Sequence, residues 1–374
     1  MMLWIAIFAL AIILVLAGIF YLSSRICKFA CINKITRNKK RRWKFLIGFG
    51  VIVLLGIVEV IAMDGTNMAV CMVHLAVFWG ICDICQYIIV KIVKREPKIY
   101  IAGICAIVIT VIYMGVGCYN AFNVWQTHYT VKTDKNIGNI RIVQIADSHV
   151  GTTFDGKGFG KHMDTIQKTN PDLVLITGDF VDDDTSKQDM IDSCKALGRL
   201  KATYGVYFSF GNHDKGYYDE SYRGYNGDDL IKELEKNNVT VLQDENVLID
   251  DRIYIVGRQD YSEVEKGGTR ADMDELVKNL DTDKYIVVMD HQPHDYDNQE
   301  KAGVDMVLSG HTHGGQFFPV NNAGVWIGAN DKTYGREKRT DTNFIVTSGI
   351  SDWALKFKTG CKSEYVVIDV EQNK

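Results

Sequence analysis

The hydrophobic pattern changes character near residue 118. Before it, apolar residues run without a polar face in four stretches, about residues 3–22, 45–63, 68–90 and 99–118. Each approaches the ~20 residues that a membrane-crossing helix needs. Beyond it the apolar runs shorten and become rich in β-branched residues, at 140–146, 173–177, 205–210, 253–256, 286–289, 306–309, 344–347 and 365–370. Between these runs apolar residues recur at helical spacing. Phe159, Met163 and Ile166 share one face; Met190, Ile191, Cys194, Leu197 and Leu200 share another; Met273, Leu276, Val277 and Leu280 share a third. Strand and helix signals that alternate in this way predict α/β layers. The expected organisation is therefore a four-helix transmembrane region over 1–118, a linker over 119–139 and an α/β domain over 140–374. The first apolar stretch has no basic residue before it and no clear small-residue cleavage site, so it reads as a retained anchor.

Charge sharpens the division. The net charge of −4 describes neither part. Residues 1–125 hold 13 Lys and Arg against 4 Asp and Glu, and the remainder holds 29 against 42. An acidic second part excludes a general nucleic-acid binder, which needs a basic face. Nine basic residues lie between the first and second stretches, four between the third and fourth, and none in 64–67. By the positive-inside rule both basic loops are cytoplasmic. The acidic domain is then expected on the extracytoplasmic side of a cell membrane, with membrane lipids as neighbours. Seven of the nine cysteines precede residue 120, which is no disulfide framework. Cys82 and Cys85 have redox-motif spacing but sit in an apolar run, where thiols pack as small hydrophobes. Asp83 and His74 lie within the third stretch, nine residues apart on opposite helix faces. A ligand or proton role for Asp83 stands beside a plainer one, polar pairing between helices.

In the second part, five strand-like runs end in chemistry. They lead into Asp147-Ser148-His149, Gly178-Asp179, Gly211-Asn212-His213-Asp214, Asp290-His291 and Gly310-His311-Thr312-His313-Gly314-Gly315. Ligands gather beyond the carboxyl ends of strands in α/β sheets. In extended chain Asp147 and His149 face one side, as do His311 and His313. Such pairs can hold one ion or reach towards two.

This ordered set resembles the calcineurin-like metallophosphoesterases over about residues 140–370, and Gly310–Gln316 makes it most similar to their bacterial membrane-anchored branch. The resemblance implies a four-layer αββα sandwich and two divalent metal ions. It assigns Asp147, His149, Asp179 and His313 to the first ion. Asp179 also bridges to the second, which Asn212, His291 and His311 complete. Donors of this mixture suit Mn, Fe or Zn. The implied reaction is hydrolysis of a phosphomonoester or phosphodiester by a metal-bridged hydroxide. His213 serves as general acid, and Asp214 holds its tautomer and raises its pKa. The membrane tether suggests a lipid or envelope phosphoester. The alternative is a sensor that captures a phosphoester without turnover; the filled ligand positions speak against it.

Departures from relatives narrow the subtype. Ser/Thr protein phosphatases place an Arg after the residue equivalent to Asp182, where this chain has Asp183 and Asp184. Purple acid phosphatases have Tyr where this chain has Asp182. No Arg follows Ser348-Gly349-Ile350; only Lys356 and Lys358 are near. Asp182–Asp184 read as the solvated start of a helix. His162 reads as surface, and His294 as a weaker ligand candidate than His291, which ends its strand directly. Phe317 and Phe318 read as an apolar rim that touches lipid or as packing on the sheet.

Overall fold

The computed structural model describes residues 2–373, without the side chains of residues 2–8 and 11. The chain divides into two compact units, Met1–Val116 and Gly117–Lys374.

In the first unit the long helices are α1 (Met2–Ile26), α3 (Arg41–Ala62), α4 (Gly65–Val93) and α5 (Ile101–Phe122), with the short α2 (Ala30–Thr36) after α1. Among the described residues, three helices, α3 to α5, are long and apolar enough to cross a membrane. A fourth span exists if Ile12–Ile26 and Ala30–Thr36, bent by 82°, count as one. Asp64 starts α4 by accepting the Asn67 backbone N–H at 2.8 Å, which satisfies one of the free donors of the first turn. Asp83 is engaged within the helices. Tyr21 and Tyr100 donate hydroxyls to it, and Arg25 lies 2.9 Å away. That is the plainer of its two expected roles, a polar tie between α1, α4 and the start of α5.

The second unit contains β1 (Val124–Thr133), β2 (Ile140–Ile145), β3 (Leu173–Thr177), β4 (Val206–Ser209), β5 (Val239–Val241) and β6 (Glu245–Ile249). It continues with β7 (Ile253–Gly257), β8 (Tyr285–Met289), β9 (Met306–Ser309), β10 (Gly335–Arg339), β11 (Thr342–Val346) and β12 (Ser363–Gln372). They form two six-stranded sheets, ordered β1-β12-β2-β3-β4-β5 and β10-β11-β9-β8-β7-β6. β2, β3 and β4 run parallel in one sheet, and β7, β8, β9 and β11 in the other.

Period-two alternation builds the layers. Val174, Ile176 and Phe208 face a cluster with Phe159, Met163, Met190 and Leu197 of the helices at Gly156–Gln167 and Lys187–Leu197. Leu173 and Leu175 face the other way, against Val287, Met289 and Leu308 of the second sheet. Ile286, Val288 and Phe344 then pack outward against Met273, Leu276 and Tyr296. The result is a four-layer αββα sandwich. Each of these fully buried aliphatic or aromatic side chains contributes about 1.5–3 kcal/mol.

One expected boundary needs correction. Residues 119–139 are not a bare linker: α5 runs to Phe122, and β1 follows after one residue. β1 pairs in parallel along all ten residues of β12, from Val124 with Ser363 to Thr133 with Gln372. Its residues are mostly half-exposed or exposed, with only Val131 buried, so the strand carries no apolar run.

Candidate metal centre

Both sheets deliver their carboxyl ends to one place, and hydrogen bonds lock the ends together. Asp147 N–H donates to Gly178 O at 3.1 Å, and His149 N–H to Asp179 O at 3.1 Å. Gln144 reaches from the first sheet to Ser309 O of the second at 2.9 Å. His291 Nδ1 stands 2.8 Å from Thr177 O, which leaves Nε2 facing the crevice. Glycine is required where these turns nearly touch. A Cβ on Gly211 would collide with the Asp179 carboxylate, and one on Gly310 with that of Asp147.

Two groups of ligand-type atoms result, each within 4.8 Å of one another: Asp147, His149 and His313, and Asp179, His291 and His311. Asp179 connects them. Its Oδ2 lies 3.0 Å from His291 Nε2 and 3.5 Å from His149 Nε2. Asn212 Oδ1 stands 2.9 Å from His311 Nδ1, while its amide donates to the Tyr217 hydroxyl at 2.8 Å. The His213 ring packs 5.1 Å from His149 and from Tyr217, and 5.4 Å from Trp353.

The residues fit two divalent cations. His149 Nε2 and His291 Nε2, both turned toward the Asp179 carboxylate, are buried and make no hydrogen bond, a condition that costs about 1–3 kcal/mol per group unless something binds there. Asp147, His149, Asp179, His311 and His313 all have positive φ, between 33° and 69°. Side chains other than glycine enter that region at a cost, and such strain gathers at ligand sites.

Electrostatics agree with this. Burial works against an ionised Asp179, yet His291 and His213 hold it well below the usual carboxylate range. Burial likewise opposes a charged His291, but Asp179 and Asp147 raise it well above an ordinary imidazole. The field that keeps a proton there would also keep a cation. Burial lowers His313 strongly and takes His311 down to about 4, leaving both free to donate lone pairs.

Behind the ligands sit residues whose roles the sequence either missed or placed elsewhere. Asp182 does not start a helix; the helix begins at Lys187 with Ser186 as its cap. The Asp182 carboxylate is buried and accepts from His149 Nδ1 at 3.1 Å, fixing the ring so that Nε2 faces the site. Asp352 lies 3.7 Å behind His313 Nδ1 and accepts from Gln316 at 2.9 Å. Lys358, one of the two lysines near the segment that lacks an Arg, is buried; it donates to Ser348 O at 2.6 Å and Ser351 O at 2.8 Å. Asp214 also needs correction. Its carboxylate does not reach His213 but accepts four backbone N–H groups, from Gly211, Asp179, Phe180 and Val181, at 2.7–3.0 Å. It ties the turn after β4 to the turn after β3, and burial pushes it up to about 7. Nor is His213 raised as expected: burial lowers it, against the pull of Asp179 and Asp182. His294 stacks on Tyr261 and His162 packs against Phe154, both outside the two clusters.

Residues 140–315 match the family described as calcineurin-like phosphoesterase. A metallophosphoesterase of Aquifex aeolicus is 33% identical over 196 residues, covering 51% of this chain and 70% of that protein. The chain belongs to the calcineurin-like metallophosphoesterases. A metallophosphoesterase of Campylobacter jejuni is 28% identical over 238 residues, 63% of this chain and 60% of that protein. A zebrafish protein described as a transmembrane protein with a metallophosphoesterase domain is 29% identical over 251 residues, 64% of this chain and 55% of that protein. The chain thus spans little more than half the length of the last two relatives.

Proposed function

We propose that this metallophosphoesterase hydrolyses a phosphomonoester or phosphodiester with two divalent ions, Mn, Fe or Zn. Asp147, His149, Asp179 and His313 would hold one ion; Asp179, Asn212, His291 and His311 would hold the other. The observation that carries this reading is the pair of clusters joined through Asp179, with the unsatisfied Nε2 atoms of His149 and His291 turned inward. When bound, the ions supply a nucleophilic water at neutral pH and positive charge for the phosphoryl oxygens. Asp182 and Thr177 O orient His149 and His291. His213 would hand a proton from its imidazole to the departing oxygen, with Tyr217 and Trp353 beside it as walls.

The apolar helices support a membrane anchor. The basic loops at 25–44 and 91–98 support an extracytoplasmic second unit. With both in place, a phosphoester of lipid or envelope material is the substrate class that lies nearest.

The test uses the full chain in detergent, chelated and then restored with Mn, Fe or Zn, against mono- and diesters of phosphate with good and poor leaving groups. Restored activity supports the reading; activity that survives chelation contradicts it. His213→Ala should cost about 10²–10⁴-fold on poor leaving groups and much less on p-nitrophenyl esters, which depart without a proton. An equal loss on both would remove His213 from the acid role.

A further inference from the structure

The segment after the Gly310–Gly315 turn is unlike the rest of the acidic second unit. Residues 316–330 contain no charged side chain. Phe318, Val320, Trp326 and Ile327 are 51–66% exposed, and the short helix Ala323–Trp326 has no buried residue. Exposed apolar side chains concentrated on one loop mark an interaction surface.

Contacts within the second unit place this loop beside the end of α5. Phe318 N–H donates to Thr359 Oγ1 at 3.3 Å, and the N–H groups of Thr359 and Gly360 donate to Gln316 O at 2.9 and 3.1 Å. The next residue back, Lys358, donates its N–H to Gly117 O at 2.9 Å, and its carbonyl accepts from Asn120 Nδ2 at 3.1 Å. Ser363 Oγ donates to Ala121 O at 2.8 Å. The loop and the last turns of α5 are thus fastened to one strip, residues 357–363. The end of α5 and the start of β1 carry the side chains of a membrane–water boundary. Tyr119, Phe122 and Trp125 are exposed, the Tyr119 and Trp125 rings meet at 6.3 Å, and the Lys362 ammonium lies 5.2 Å from the centre of the Trp125 ring. Aromatic residues with nearby cations favour the head-group layer.

We propose that the 317–327 loop seats in the lipid–water interface of the membrane crossed by α5, next to the Tyr119–Trp125 aromatic pair. The proposal rests on the membrane-anchored reading above. Since the loop grows directly out of the turn bearing His311 and His313, its seating would hold the metal clusters close to the head-group layer. A phosphoester in a lipid head group would then reach the clusters without leaving its bilayer. Uncharged residues at 316–330 also keep the acidic surface of the unit back from anionic lipid.

Photo-crosslinking tests this on the full chain in vesicles of equal parts phosphatidylcholine and phosphatidylglycerol. Benzoylphenylalanine is placed, one position per variant, at Trp326, Ile327, Val111 within α5, and Lys232 on an exposed helix of the second unit. The expected result is lipid adducts at 326 and 327 comparable to those at 111, and none at 232. Adducts at 111 without adducts at 326 and 327 would overturn the loop proposal and leave the anchor standing. Absence at 111 would overturn the anchor and the proposal with it. Adducts at 326 and 327 to protein instead of lipid, in the same chain or a second copy, would also overturn it.

Discussion

Two aspartates separate orientation from scaffold. Asp182 holds His149 through Nδ1 and contacts none of the other proposed ligands. Asp182→Ala should therefore weaken metal binding about 10–100-fold, the usual cost of removing a ligand's supporting hydrogen bond. A metal titration checks this, and unchanged affinity would show that His149 needs no support. Asp214 anchors four backbone donors, so Asp214→Ala leaves buried N–H groups unsatisfied at about 1–3 kcal/mol each. The expected outcome is a large fall in melting temperature, whereas His213→Ala should melt close to the parent. If Asp214→Ala instead kept its stability and lost activity as His213→Ala does, Asp214 would belong with the imidazole after all. The roles of both aspartates were hidden in the sequence because each is decided by where a carboxylate turns after a tight bend. Asp182 follows its motif by three residues and looks like an acidic helix start; Asp214 follows His213 and looks like its partner. The seven proposed ligands were legible for the opposite reason: each stands at or just past the end of an apolar strand, where chain direction alone brings it to the crevice.

At the level of elements, what the sequence displays and what it conceals divide by position in the sheets. All eight apolar runs are interior strands. The four strands without such a run, β1, β5, β6 and β10, are the edges of the two sheets. An edge strand is covered on one side only, so its residues need not be apolar; β10 reads Gly-Arg-Glu-Lys-Arg. β1 has practical weight, since it shields the whole length of β12. A fragment beginning at Gly117 should fold, and one beginning at Ile140 should aggregate through the bared β12 edge. Light scattering and circular dichroism on the two fragments distinguish these outcomes; equal solubility would mean that β1 is dispensable. Glycine acts at this scale too. Gly211→Ala would push a methyl group into the Asp179 carboxylate and spoil the link between the clusters. Its metal binding should fall further than that of Gly50→Ala in α3, where a Cβ meets nothing and the helical backbone accepts alanine.

Across the whole molecule, an apolar, basic first part and an acidic second part make the physical case for the proposed anchoring of this metallophosphoesterase in a membrane. Two joined clusters make the chemical case. Both were visible as pattern: hydropathy and charge for the anchor, ordered Asp, Asn and His at strand ends for the centre. The central claim is that one chain holds two ions that share Asp179, and that turnover depends on them. The most direct measurement is metal content by elemental analysis on the full-length chain and on Asp179→Asn, alongside hydrolysis of bis-p-nitrophenyl phosphate. The account predicts two ions per parent chain, fewer in Asp179→Asn, and activity lost with them. One ion or none in an active parent chain, or an Asp179→Asn variant that keeps both ions and full turnover, would contradict it.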